Sequence, residues 1–190
     1  MAGLSFRDYP DMISHLKKLV ADPFFVKGKE RSRNQAHPDP VPDGFVLYRA
    51  DGASRGQGHG RDVSSGCGAV CYGPDGSPVA WSCRCLGSVT NNVAEYEGAI
   101  HVLERVSRMD SRNILLELDS LLVTKQLSGE FAVRTESLNI YFREAFSIIT
   151  RLRDRGYRLI FRHIYRRFNT DADHWANRGA DGDNISSELW

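Results

Sequence analysis

Four acidic residues stand near the ends of the chain's predicted elements, where their type and position suit them to chemistry. Asp51 follows the apolar run Phe45-Val-Leu-Tyr48 and opens a Gly-containing loop. Glu95 lies in the first turn of a long apolar-striped segment, Asp119 closes the run Ile114-Leu-Leu-Glu-Leu118, and Asp173 falls in the first turn of the last predicted helix. Asp51 and Asp119 would lie outside the carboxyl ends of strands, where open α/β sheets place their sites. If these edges converge, mutual repulsion calls for a compensating cation. Hard divalent ions with oxygen ligands meet that need, and Mg²⁺ keeps several waters while binding phosphate. Two such ions roughly 4 Å apart clamp an in-line phosphoryl displacement. Taken singly, Asp119 and Asp173 are also ordinary first-turn acids that favour the helix dipole, so position rather than type must select them.

Other chemistries fit less well. Cys67, Cys71, Cys83 and Cys85 cluster, yet Cys-x-x-x-Cys followed by Cys-x-Cys is not the usual pair of zinc knuckles. Their even spacing inside apolar segments reads as small buried residues on strand faces. His163 has no spacing to them that would complete a zinc site. Arg143, Arg151, Arg153, Arg155, Arg158, Arg162, Arg166 and Arg167 meet only Glu144 and Asp154 in the same stretch. That reads either as a basic face for a polyanionic substrate or as a solvated helix face with arginine-biased composition.

The elements that must position these residues follow from periodicity. Residues 67–72 and 78–86 flank Gly73-Pro-Asp-Gly76, a strong hairpin turn, so three antiparallel strands open the domain. Val93, Ala94, Tyr96, Ala99, Ile100, Val102, Leu103 and Val106 form a helical stripe. A strand ending at Asp119, a short helix stopped by Gly129, a helix from Glu136 to Arg153, and a strand from Tyr157 to Ile164 come next. Asn169 reads as the N-cap of a closing helix through Ala176. The order βββ-α-β-α-α-β-α predicts an α/β fold with five strands in a mixed sheet and right-handed crossovers. Before it, Met12, Ile13, Leu16, Leu19 and Val20 space as one face of a helix over Asp8–Ala21, and a basic, Pro-containing linker follows. That helix packs either on the chain's own core or on a partner.

Composition bounds the alternatives. The chain has 190 residues, 41% of them hydrophobic, and 25 Lys plus Arg nearly cancel 24 Asp plus Glu. Low hydrophobicity with high net charge, the signature of disorder, is absent. No apolar run approaches the roughly 20 residues that span a bilayer, and Asp8 and Asp11 suit neither a signal nor a transit peptide. The expectation is a soluble intracellular protein, cytoplasmic or nuclear, with no membrane partner.

Asp51-Gly-Ala-Ser-Arg-Gly56, Thr90-Asn-Asn-Val-Ala-Glu-Tyr96, Leu118-Asp-Ser-Leu-Leu-Val123 with Gln126-Leu-Ser-Gly129, and His163-Ile-Tyr-Arg-Arg-Phe-Asn169 with Ala172-Asp173 follow in order. Together they resemble the type 1 ribonuclease H family, in particular its short branch related to reverse-transcriptase RNase H domains. The resemblance covers about residues 44–181. It implies a ribonuclease H-like fold and hydrolysis of the RNA strand in RNA–DNA hybrids, with two Mg²⁺ ions, or Mn²⁺ in their place, once substrate is bound. By motif, Asp51, Glu95, Asp119 and Asp173 are the implied metal ligands, with Asp51 bridging, and His163 matches a mobile loop histidine of proton transfer or product release. Asn91 and Asn92 match asparagines that read the RNA strand, Thr90 matches a DNA-phosphate contact, and Gly52 and Ser54 fall on the same nucleic-acid surface. The chain is expected to act as a monomer with residues 1–22 as a helical appendage, 23–43 as linker, 44–181 as the domain and 182–190 as a tail.

Departures from the family pattern are specific. Gln57-Gly-His-Gly-Arg-Asp-Val-Ser-Ser65 intervenes where the first loop usually continues into Asn-Pro-Gly, so His59 or Arg61 would replace contacts there. Leu118 and Leu121 stand where the branch often has Gly and Gln, and Tyr165 and Arg167 replace a frequent Pro and Glu. No protrusion rich in Trp and Lys lies between the third acid and the last strand. A competing reading is a non-catalytic module, derived from a retroelement domain, that binds hybrid or double-stranded RNA.

Overall fold

The computed structural model describes residues 39–56 and 63–190. The predicted N-terminal helix, the linker up to residue 38, and His59 and Arg61 lie outside the described residues. Strands β1 (Val46–Arg55), β2 (Ser64–Tyr72) and β3 (Pro78–Gly87) form an antiparallel meander. The predicted turn joins β2 to β3, with the Gly76 amide donating to the Gly73 carbonyl at 2.9 Å and Gly76 at φ +80°. That positive φ is why glycine stands there.

Helix α1 (Asn91–Val106) crosses back to β4 (Asn113–Leu118), which lies parallel to β1. Helices α2 (Leu121–Leu127) and α3 (Glu136–Asp154) lead to β5 (Arg158–His163), parallel to β4. A 3₁₀ turn at Arg166–Phe168 then starts the chain into α4 (Thr170–Ala180), which runs past the expected end at Ala176.

The sheet has six strands, in the order β5-β4-β1-β2-β3-β6, which corrects the expectation of five. The extra strand, β6 (Ile185–Ser186), pairs antiparallel with Ser82 and Cys83 on the β3 edge. Two residues carry no alternation to read, so this strand exists only because an edge is there to accept it. The tail folds on from there, setting the Trp190 ring 5.1 Å from His101 and edge-on to Tyr48.

Period-2 alternation divides the sheet into two faces. Tyr48, Ala50, Ile114, Leu116, Leu159 and Phe161 bury against the stripes of α1 and α3. Leu47, Val70, Leu115 and Ile160 face the other way, with Trp81 and the α4 residue Trp175 packed on them. On this second face Glu117, fully buried, accepts from Arg49 Nε at 2.8 Å and Arg162 Nε at 2.7 Å. Arg162 also donates to the carbonyls of Asp39 and Pro40, fastening the incoming chain to β5.

Candidate active site

Three of the four acids converge over the interior strands of the sheet, and Asp51 lies within its strand, not beyond the strand's carboxyl end as expected. Asp51 comes from the middle of β1, Asp119 directly follows β4, and Glu95 lies one turn into α1. One carboxylate oxygen from each lies within 4.8 Å of the other two. Glycine makes the approach possible: a Cβ at Gly52 would sit 2.1 Å from the Ala94 carbonyl carbon and 2.2 Å from the Glu95 amide nitrogen. Any side chain there would lift α1, and Glu95 with it, off Asp51. Gly68 does the same for α4, since its Cβ would fall 2.3 Å from the Ala176 amide nitrogen.

The centre is short of partners. The Gly52 amide donates to Asp51 Oδ1 at 2.8 Å, but Asp51 Oδ2 and Glu95 Oε2 are buried without a hydrogen bond. Burial, and then the charges of Glu95 and Asp119, push the Asp51 carboxyl well above the usual carboxylate range. Glu95 moves the same way, chiefly through burial and the Asp119 charge, against a smaller opposing pull from Arg166. Buried unpaired carboxylate oxygens on an all-oxygen donor set are what a hard divalent cation requires, so these residues fit one.

Asp173 stands beside this trio, outside the 4.8 Å group. It accepts from Arg166 at 2.5 Å and from Asn177 Nδ2 at 3.1 Å, and its charge still bears on Asp51. His163 is the last residue of β5, in register with Leu118, so it sits on a strand end and not in the expected loop. Tyr165 lies edge-on to its ring at 5.8 Å.

The expected nucleic-acid contacts divide. Thr90, Asn91 and Asn92 are exposed at the start of α1. Thr90 is the N-cap, its hydroxyl accepting from the Val93 amide, so neither asparagine caps the helix. The Asn91 side chain instead bonds Glu95. Gly52 is buried, its amide given to Asp51, and Ser54 donates to the Val89 carbonyl at 2.8 Å. These two hold the backbone around the site. The four cysteines are free thiols, and no cluster of metal-ligating residues includes them among the described residues. The arginine-rich run does not make one basic face, because Arg162 is buried on Glu117, Arg166 holds Asp173 and Arg155 donates to the Ser107 carbonyl.

The model of the Reverse transcriptase-like family matches residues 53–179. Ribonuclease HI of Halobacterium salinarum is 33% identical over 188 residues, spanning 95% of this chain and 90% of that protein. The chain belongs to the type 1 ribonuclease H family. The Bifunctional protein Rv2228c of Mycobacterium tuberculosis is 34% identical over 72% of this chain, and the match spans only 35% of the mycobacterial protein. Among solved structures, LC11-RNase H1 in complex with an RNA/DNA hybrid aligns with a TM-score of 0.60 at 28% identity, over 72% of this chain and 97% of that one. The six-stranded mixed sheet with flanking helices is thus a ribonuclease H-like fold.

Sequence reading passed over two of the residues that organise this family's acidic centre here. Asn169 was expected to cap α4, yet its side chain makes no cap bond. It is fully buried, and its Nδ2 donates to the Ala50 carbonyl at 3.0 Å and to Asp119 Oδ1 at 3.3 Å, tying β1 to the third acid. Arg166 stands in the sequence within a basic run and within the motif His163–Asn169, with no partner assigned to it. The available signal was its place seven residues before Asp173, across a turn short enough to fold one onto the other.

Proposed function

We propose that this chain is a divalent-metal-dependent endoribonuclease that hydrolyses the RNA strand of RNA–DNA hybrids. The convergence of Asp51, Glu95 and Asp119, with Asp51 Oδ2 and Glu95 Oε2 buried and unpaired, carries the reading. Similarity to Ribonuclease HI over nearly the full length of both chains, and to LC11-RNase H1 with its RNA/DNA hybrid, supports the substrate class. Asp51, Glu95, Asp119 and Asp173 would hold two Mg²⁺ ions, or Mn²⁺ in their place, with substrate bound. Bound there, such ions would supply Lewis acidity toward a phosphodiester and lower the pKa of water, chemistry suited to hydrolysis that leaves 3′-hydroxyl and 5′-phosphate ends.

The chain's own groups fix the geometry. The Gly52 amide anchors one oxygen of Asp51, and Asn169 anchors Asp119 against β1. His163, half-buried at the end of β5, serves proton transfer or product release. Asn91 and Asn92 present amides to RNA 2′-hydroxyls, the group that separates RNA from DNA, and Thr90 faces the DNA phosphates. Residues 44–181 form the catalytic unit, acting as a monomer.

Incubating the purified chain and Asp119→Asn with an end-labelled hybrid tests this. RNA-strand cleavage that needs Mg²⁺ and is lost in Asp119→Asn is the expected result. Hybrid binding without cleavage would replace it with the non-catalytic binding module.

A further inference from the structure

The fourth acid is held where two of the others are open. Both oxygens of Asp173 have partners: Oδ1 accepts from Arg166 at 2.5 Å and Oδ2 from Asn177 Nδ2 at 3.1 Å. Asn177 is itself fixed. Its Oδ1 accepts at 2.7 Å from Arg55, at the end of β1, which turns the amide so that Nδ2 faces Asp173. By contrast, Asp51 Oδ2 and Glu95 Oε2 are buried without a hydrogen bond, and the trio closes within 4.8 Å without Asp173. The two groups that hold Asp173 differ in kind. Asn177 is a neutral amide, whereas Arg166 is a cation on the turn before α4 with its side chain 74% exposed. The Arg166 charge also bears on Glu95, Asp51 and Asp119, so it stands within electrostatic reach of all four acids.

A divalent ion drawn to Asp173 meets that guanidinium already in place, and like charges a few ångströms apart repel. Either the guanidinium moves or the ion binds more weakly. The pair is of a kind that gives way. Solvent screens an ion pair this exposed, so it contributes little to the fold, and a long arginine side chain can leave it for water. We propose that Arg166 is a positioning residue that reserves Asp173: it acts as an internal counter-cation and competes with the divalent ion for that carboxylate, so that the ion recruits Asp173 by displacing the guanidinium. This rests on the metal-centre reading above and adds to it a regulation, the coupling of Arg166 to metal occupancy.

A double-mutant cycle on metal affinity tests this. The full chain, without nucleic acid, is titrated with Mn²⁺, and free Mn²⁺ is read by electron paramagnetic resonance. The cycle comprises wild type, Arg166→Ala, Asp173→Asn and the double variant, with Arg166→Lys as a variant that keeps the charge. Arg166→Ala should tighten Mn²⁺ binding by about two- to fivefold, the range of an exposed ion pair, and should do so only while residue 173 is a carboxylate. Arg166→Lys should stay closer to wild type than Arg166→Ala, since it retains a cation facing Asp173. Unchanged or weaker Mn²⁺ binding in Arg166→Ala would overturn the proposal. So would equal tightening in the Asp173→Asn background, which would make Arg166 a diffuse charge with no hold on that acid. Absence of binding in both wild type and Arg166→Ala would overturn it together with the metal centre. A wild type that follows the predicted cycle yet cleaves no hybrid would overturn the nuclease reading alone.

Discussion

A buried carboxylate within the sheet and a cluster of three acids beside it have opposite electrostatics. Glu117, on β4, is fully buried and answered by Arg49 and Arg162. Two residues further along, Asp119 joins Asp51 and Glu95 in a cluster where two buried carboxylate oxygens have no partner. Burial costs a charge several kcal/mol unless something compensates, and the two places meet that cost to different degrees. At Glu117 the compensation is guanidinium, which fixes β1, β4 and β5 and the incoming chain. At the acidic centre Arg166 answers Asp173, and Asp51 Oδ2 and Glu95 Oε2 keep no partner. Among these carboxylates, the paired one ties strands together and the unpaired ones stand in the candidate centre.

Removing a carboxylate should therefore act in opposite directions at the two places. Glu117→Leu strands Arg49 and Arg162 and should destabilise the fold by about 3–5 kcal/mol in urea unfolding. Asn169→Ala frees Asp119 without touching a carboxylate, and should lower hybrid cleavage by roughly 10–100-fold with little change in secondary structure by circular dichroism. Asp51→Asn should lower cleavage by roughly a thousandfold yet stabilise the metal-free fold by about 0.5–2 kcal/mol. The sign follows from linkage: the raised Asp51 pKa means the metal-free fold binds a proton that the unfolded chain has lost, so stability falls as pH rises through that range. Destabilisation by Asp51→Asn would erase the contrast.

A third buried group sharpens the comparison on the acid side. His101 makes one hydrogen bond, to Ser82 Oγ at 2.9 Å, while its Nδ1 is buried without a partner. Burial, helped by Arg84, pushes its pKa down from 6.5 to about 3. The unfolded chain therefore takes up the proton first, and stability that is full above pH 6.5 declines toward pH 3 by at most ~1.4 kcal/mol per pH unit. Urea unfolding of His101→Gln should show a flatter acid limb than wild type.

Much of this was legible in the chain. Element ends placed Asp119 after its strand and Glu95 near the start of its helix, but Asp51, read as closing a strand, lies in the middle of β1, because the ladder to β2 carries the strand on through Gly52 to Arg55. Asn169 was visible at the right position but was given the wrong partner, since capping is local and its bond to Asp119 spans 50 residues of chain. Glu117 stood unremarked inside an apolar run, because its two arginines lie 68 and 45 residues away in the chain, beyond any local pattern. β6 was illegible, having too few residues to carry a pattern and an edge strand far away in sequence as its only cause. Gly52 carried no visible signal beyond its type, because what excludes a side chain there is the backbone of α1.

The decisive measurement is cleavage of a hybrid labelled separately on each strand, titrated with Mg²⁺, for wild type against Asp51→Asn. RNA-strand cleavage that rises from zero with Mg²⁺ in wild type, and falls by roughly a thousandfold or about 4 kcal/mol in the variant, is the predicted result. Cleavage that persists in a chelator, or proceeds equally in Asp51→Asn, would contradict a metal-dependent centre built on these three carboxylates.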